Sequence, residues 1–163
     1  MRLLFVAAEM SPLAKVGGLA DVIGSLPRAL IRLGHDARVI LPLHAGIDTA
    51  AYGFNRVLAD VPVQTPRGPE LASLWEGAVD GLTVYLVEAM DLFERPQIYG
   101  EPDDTQRFLF FSDAVLATVP ELEWPVDVLH LHDWHAAFAG ARLTADRAHP
   151  LAAAGRLLSL IHI

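Results

Sequence analysis

Cysteine is absent from this 163-residue chain, which excludes disulfides, thiolate nucleophiles and cysteine metal centres. Long apolar runs are absent too: none approaches the roughly 18 residues that suggest a membrane-spanning helix. Residues 1–8 are too short for a secretory leader, Glu9 interrupts them, and no cleavage site follows. Positive charge is scarce, with 12 Lys and Arg against 20 Asp and Glu. The resulting net charge of −8 argues against nucleic acid and anionic membranes as partners. These exclusions together predict a cytoplasmic protein. What remains is 53% hydrophobic and 20% charged, with a mean hydropathy of +0.35. That balance excludes disorder and suggests a sheet buried on both faces. The length fits one domain with a real core, and no repeat, linker or low-complexity segment divides it.

Periodicity alternates along the chain. Residues 3–8 (LLFVAA) read as a buried strand. Leu19, Val22, Ile23, Leu26 and Leu30 then share one face of a helix over 19–33, with Gly34 as its stop and a kink expected at 24–27 from Pro27. Residues 37–41 give a second buried strand, closed by Pro42. Three closely spaced strands at 57–64, 71–79 and 82–89, with a turn at 65–69, predict a hairpin inserted in a βα pattern. Asp103 and Gln106 have the spacing of a capping box, with Asp in place of the usual Ser or Thr. The helix that follows carries Phe108, Phe111, Val115, Leu116 and Val119 on one face, and Phe108, Phe110 and Phe111 are expected in the core. A strand at 126–131, a helix at 134–146 and a strand over 157–163 complete the pattern. The fold class is α/β, a Rossmann-like, mainly parallel sheet with flanking helices.

Between the first strand and the first helix lies MSPLAKVGGLADV, residues 10–22. Gly17 and Gly18 stand where a strand turns into a helix, and a helix N-terminus with free N–H groups is an anion site that Lys15 would strengthen. Glycine there lets a phosphate reach the backbone. The lysine precedes the glycines, so this is no Walker A loop, and it is not G-x-G-x-x-G either. A tight βα turn without a ligand has the same appearance. Asp21 is either part of a polar cluster with Glu9, Ser11 and Lys15 or a first-turn acid complementing the helix dipole.

A second concentration of polar residues follows the strand at 126–131. His132, Asp133, Trp134 and His135 sit at its carboxyl end, the edge where open parallel sheets bind ligands and the edge that also carries Lys15. Asp133 is expected to cap the next helix in addition to any ligand role. Trp134 reads as core or as a wall on which a sugar stacks. His130 and His132 share a strand face and raise the possibility of a metal pair, but no third ligand has a suitable spacing.

The string AAEMSPLAKVGGLADVIGSLPRAL resembles the opening of the bacterial and plant glycogen and starch synthases, whose usual form is K-T-G-G-L-A-D-V; Val16 stands where Thr is common. PVDVLHLHDWHAAF, residues 125–138, is similar to the family's P-D-V-(V/L)-H-x-H-D-W-H. The two motifs stand in the family's order more than a hundred residues apart, and the resemblance is weakest over 47–80 and at the last residues. It implies that residues 1–163 are the N-terminal, acceptor-side half of a two-domain GT-B glycosyltransferase, completed by a C-terminal nucleotide-binding domain. The implied reaction moves glucose from ADP-glucose to the nonreducing 4-OH of an α-1,4-glucan such as glycogen, with retention and without metal or cofactor.

Residue by residue, the resemblance makes Lys15 the lysine that binds ADP-glucose and puts Gly17 and Gly18 at the phosphate and sugar turn. It places Asp21 and Asp133 near the acceptor and the reacting sugar as catalytic carboxylates, and His132 and His135 among the substrate-binding residues. The leaving group is a diphosphate, so the chemistry requires electrostatic stabilisation, which Lys15 and a helix dipole supply in part. The family's active-site histidine lies in T-(V/I)-H-N; the matching stretch here is Leu160-Ile161-His162-Ile163, and His162 is its candidate despite the poor fit of its neighbours. A free-standing sugar- or nucleotide-binding module, or a GT-B enzyme using another nucleotide sugar, remains compatible with the same residues.

Overall fold

A strand of Leu, Phe and Val without a charged interruption suits the interior of a parallel sheet, and β1 (Arg2–Val6) takes that place. In the computed structural model, which describes residues 1–154 and 159–161, Leu4, Phe5 and Val6 are fully buried. β1 pairs in parallel with β2 (Asp36–Pro42) on one side and β6 (Val128–His132) on the other. The other strands are β3 (Asn55–Thr65), β4 (Gly68–Val79), β5 (Leu82–Glu88) and β7 (Ser159–Ile161), and the sheet order is β3-β4-β5-β2-β1-β6-β7. β5, β2, β1, β6 and β7 run parallel, and β3 and β4 form an antiparallel hairpin at one edge.

The inserted hairpin expected from the sequence is therefore present, and it replaces a helix. The chain leaves β2, makes the β3–β4 hairpin, and returns through β5 to lie parallel beside β2. The turn from β4 to β5 is Asp80-Gly81, with φ of +48° and +78°, the positive values that match a hairpin's twist.

Helices cover both faces. α1 (Gly18–Arg32) packs Ile23 against Phe5, Val39, Leu41 and Leu86. On the opposite face α3 (Asp104–Thr118) and α4 (Asp133–Ala145) pack Phe108, Phe111, Ala136 and Leu143 against Val6, Ile40 and Leu131. Phe108, Phe110 and Phe111 all lie in this core, as their spacing predicts. Two short helices, α2 (Met90–Phe93) and α5 (Pro150–Ala154), have no periodic signal in the sequence.

Local chemistry explains where α1 stops and why α3 starts as it does. Gly34, at φ +87°, donates its N–H to Ile31 O at 2.9 Å and His35 donates to Leu30 O at 3.1 Å, so two end carbonyls of α1 are satisfied. α1 runs unbroken through Pro27, and the Arg28 guanidinium donates to the carbonyl of Gly24 beside it. The capping box at α3 does not form. Asp103 instead pairs with Arg95 at 3.2 Å, and the Gln106 side-chain carbonyl accepts from Arg67 at 3.0 Å. A cationic partner competes well with a local amide for these oxygens.

Strand order reverses at β1. From β1 the chain moves outward through β2 to β5, then crosses to β6 on the other side. The crevice at the carboxyl ends of β1 and β6 is thus the topological switch point, where ligands enter open α/β sheets.

Candidate functional site

Both motifs end at that crevice. Lys15, Gly17, Gly18 and Asp21 occupy the β1–α1 connection and the first turn of α1. His132, Asp133 and His135 occupy the β6–α4 junction. His162 lies outside the described residues.

The glycine turn is shaped from below by Glu9. This carboxylate is 1% exposed, and its Oε2 accepts the N–H groups of Val16 at 2.5 Å and Gly17 at 3.0 Å. Two amides of the turn are thus already satisfied inside the protein. The first-turn amides of α1, from Gly18 to Ala20, are the ones without intrahelical acceptors. Lys15 Nζ lies 2.6 and 2.8 Å from the two oxygens of Asp21, both side chains more than half exposed. Asp21 therefore neutralises Lys15 rather than serving only the helix dipole.

The glycines differ in what they are for. A Cβ at Gly18 would meet nothing within 4 Å, and its φ is not positive, so neither packing nor backbone requires glycine there. A Cβ at Gly24 would stand 2.9 Å from the carbonyl of Ser11, so glycine there lets α1 approach the β1–α1 loop. Gly18 leaves room on the solvent side of the turn.

The second motif is buried and uncharged. His132 is fully buried, with its ring stacked 4.3 Å from His130 and 5.5 Å from Phe5. Burial, with a smaller push from His130, lowers its pKa to about 4. His135 is 3% exposed and packs against Trp134, Phe108 and Tyr99 at 4.0, 4.5 and 4.8 Å. Its pKa is also lowered, by burial, while Asp133, Asp104 and Glu9 pull the other way. Neither ring nitrogen of either histidine has a hydrogen-bond partner among the described residues, a condition that buried polar atoms in a finished site rarely keep. Trp134 is 40% exposed and flanks His135, so it is part of a wall and only partly core. Stacked face to face, His130 and His132 do not form a chelate, and no cluster of three or more metal-ligating side chains occurs among the described residues.

Asp133 departs from the expected N-cap. It has φ +61°, a left-handed conformation uncommon outside glycine but tolerated by Asp. The sharp turn brings its carboxylate to the N–H of Trp134 at 2.7 Å, and His132 occupies the cap position without a side-chain bond. Non-glycine residues held this way cluster at functional sites.

Tyr99 joins the two motifs. Its hydroxyl makes a long, 3.4 Å bond to Glu9 Oε1, its ring packs on His135, and a Cβ on Gly17 would lie 3.8 Å from its oxygen. Burial and then the charge of Glu9, with Asp133 contributing, raise its pKa, so the phenol stays protonated. The loop that carries Tyr99 is held by Arg107, a fully buried residue of α3. Its guanidinium donates to Leu92 O at 2.7 Å, Ile98 O at 3.3 Å and Asp104 Oδ1 at 2.6 Å, while Asp104 accepts the N–H of Gly100. The sequence reading did not assign Tyr99 or Arg107 to the site. Arg107 had a signal: it shares the i, i+4, i+8 face of α3 with the core residues Phe111 and Val115. Tyr99 lies in an irregular loop between Pro96 and Pro102, where no periodicity marks it.

The fold and the crevice define a Rossmann-like α/β ligand-binding domain whose site is assembled at the switch point. The family model of the starch synthase catalytic domain matches residues 2–163, and the chain belongs to that family. It is 36% identical to a glycogen synthase of Syntrophotalea carbinolica over 99% of this chain and 35% of that protein. A glycogen synthase of Bacillus cereus is 41% identical over 84% of this chain and 29% of its own length. The catalytic domain of starch synthase IV from Arabidopsis thaliana, bound to ADP and acarbose, superposes with a TM-score of 0.86 at 34% identity, covering 98% of this chain and 33% of that one. The chain spans about a third of the length of these relatives.

Proposed function

We propose that this chain is a truncated part of the N-terminal, acceptor-side half of a retaining GT-B glycosyltransferase that moves glucose from ADP-glucose to the nonreducing 4-OH of an α-1,4-glucan. The observation that carries the proposal is the junction of the Lys15–Gly18 turn with the His132–His135 block through Glu9 and Tyr99 at one crevice. Family membership and the ADP in the Arabidopsis relative support the same reading.

In this proposal the donor diphosphate competes with Asp21 for the Lys15 ammonium and lies against the amides at the start of α1. Exchange of partners frees the Asp21 carboxylate for a sugar hydroxyl. Gly17 and Gly18 admit the phosphate close to the backbone. Asp133, fixed by its turn, faces the reacting sugar and stabilises its developing positive charge. Neutral His132 and His135 offer ring nitrogens to sugar hydroxyls without adding a charge that would oppose that development. Lys15 and the helix dipole stabilise the departing diphosphate. A C-terminal domain supplies the base contacts and most of the phosphate contacts, His162 is the candidate for the family's active-site histidine, and the complete enzyme works in the cytoplasm without metal.

The test assays labelled ADP-glucose with glycogen, using the full-length chain and residues 1–163 separately. Incorporation by the full-length chain and none by residues 1–163 is expected, because orientation between two domains supplies much of the rate. Transfer only from a different nucleotide sugar overturns the donor assignment. Turnover by residues 1–163 alone overturns the half-site assignment.

A further inference from the structure

Tyr99 is gripped from both flanks by one buried ion pair. On one side the carbonyl of Ile98 accepts from Arg107 Nη2 at 3.3 Å, and on the other the N–H of Gly100 donates to Asp104 Oδ2. The pair closes on itself, with Arg107 Nη1 2.6 Å from Asp104 Oδ1. Arg107 Nε donates to Leu92 O at 2.7 Å, which ties the same guanidinium to α2. Arg107 is fully buried and the Asp104 side chain is 12% exposed, so both charges depend on these partners. An apolar side chain at 107 would fill the same face of α3 without burying a charge. What arginine adds is a rigid fork that reaches two loop carbonyls and a carboxylate at once.

The connection between α2 and α3 is constrained elsewhere as well. Gly100 has φ +103°, a conformation strained for any residue with a Cβ, and a Cβ there would lie 3.3 Å from Gln97 Oε1. On the outer side Arg95 donates to Asp91 O at 2.9 Å and pairs with Asp103 at 3.2 Å, both side chains about a third exposed. An exposed bridge of that kind holds weakly, so the inner pair decides where residue 99 sits.

Tyr99 carries that hold to the crevice. Its ring lies 4.8 Å from the ring of His135 and its hydroxyl 3.4 Å from Glu9 Oε1. Neither ring nitrogen of His135 has a hydrogen-bond partner among the described residues, so the orientation of this imidazole rests on its aromatic neighbours Tyr99, Phe108 and Trp134. Phe108 follows Arg107 in α3. The start of that helix thus places one neighbour of His135 directly and a second through the ion pair.

We infer that Asp104 and Arg107 are positioning residues of the crevice, which act through Tyr99 to hold the His135 ring and the Glu9 carboxylate in one arrangement toward the sugar. The inference rests on the proposed function for the identity of that sugar. Neither residue touches substrate. Without the pair the loop must order when the sugar binds, and a ring displaced from its productive position lowers turnover. Lys15, on the exposed rim, keeps its hold on the donor diphosphate.

The test compares Asp104→Asn, Gly100→Ala, Tyr99→Ala and the double variant Tyr99→Ala/Asp104→Asn in the full-length chain. Asn offers one acceptor oxygen where Asp104 uses two. Gly100→Ala disturbs the loop from an exposed position and leaves the ion pair intact, so it decides the matter if Asp104→Asn fails to fold. In Asp104→Asn and in Gly100→Ala, kcat is expected to fall about tenfold while the KM for ADP-glucose stays within about twofold. In the Tyr99→Ala background Asp104→Asn is expected to add no further loss. Amide hydrogen exchange over residues 94–103 is expected to quicken about tenfold in Asp104→Asn, with exchange in α4 unchanged. Unchanged kcat in both single variants, unchanged exchange over 94–103, or a full Asp104→Asn loss that persists without Tyr99 overturns the inference. A parent chain that transfers no glucose overturns the transferase reading; the exchange comparison then decides the hold on the loop by itself, faster exchange supporting it and unchanged exchange overturning it.

Discussion

The rim of the crevice and its floor come from opposite ends of the chain and handle polarity in different ways. On the rim, Lys15 and Asp21 keep full charges in contact with water and hold each other through a bond that an incoming anion can replace. On the floor, His132 and His135 are buried and neutral, and aromatic packing fixes their rings. An exposed ion pair of this kind contributes little to stability, about 0–1 kcal/mol, so exchanging its partner is easy. A buried imidazole cannot exchange so freely, because charging it carries the full desolvation cost. In the proposed transferase, the rim captures the charged leaving group and the floor holds an uncharged sugar in one orientation.

The largest expected effect lies on the rim. Lys15→Ala in the complete enzyme removes a charge-assisted contact worth about 1.5–3 kcal/mol, so kcat/KM should fall about 10- to 150-fold with a raised KM for the donor. Steady-state kinetics with ADP-glucose checks this, and unchanged constants break the assignment of the rim to the diphosphate.

Asp133→Asn sharpens the comparison where rim and floor meet. Asn tolerates the left-handed backbone as Asp does, so the melting temperature should hardly move. Turnover should drop about tenfold or more if the carboxylate stabilises developing charge. A lower melting point with normal turnover would leave Asp133 a purely structural residue.

The floor should show itself in pH dependence. His132 and His44 have folded pKa values of about 4, below the ordinary 6.5, because burial disfavours their charged forms. The unfolded chain therefore binds more protons between pH 6.5 and 4. The stability these groups contribute is full above pH 6.5 and is lost as pH falls toward 4, each adding up to about 1.4 kcal/mol of slope per pH unit. Denaturant unfolding at several pH values measures that slope, and His132→Gln should reduce it, whereas Lys15→Ala should not.

The smallest effects separate the two glycines of α1. Gly24→Ala should cost about 1–3 kcal/mol, since its Cβ meets the Ser11 carbonyl at 2.9 Å. Gly18→Ala should be neutral or stabilise by up to about 1 kcal/mol while weakening the donor, because open space surrounds its Cβ. Thermal melts of the two variants, with donor KM, complete the contrast.

How much of this was legible depended on periodicity. β1, α1, β2 and the β3–β5 region follow from apolar runs, helical spacing and turn residues, and the glycine turn and the His132–His135 block lie at the strand ends where α/β folds place ligands. The misread features depended on partners distant in sequence. Asp103 has cap spacing, but Arg95 takes its carboxylate. Glu9 takes the Gly17 amide from eight residues away, a partner that no spacing rule marks. Tyr99 and His44 sit on loops, and only the closed fold shows that one touches Glu9 and the other the carbonyl before it.

The pairing of β1 with β6 has a consequence for assembly. It aligns Leu3 with Val128, and the Arg2–Asp127 bridge beside it joins residues 125 apart. The β3–β4–β5 meander, by contrast, forms between neighbours such as Val79 and Leu82. Contacts of such different span form at different times, the local ones first. The crevice is completed only when the first strand docks against β6, at the seam of a very long loop. A ligand that touches both Lys15 and Asp133 is a clasp across that seam, and its affinity adds by mass action to the hold of the sheet on its own N-terminus.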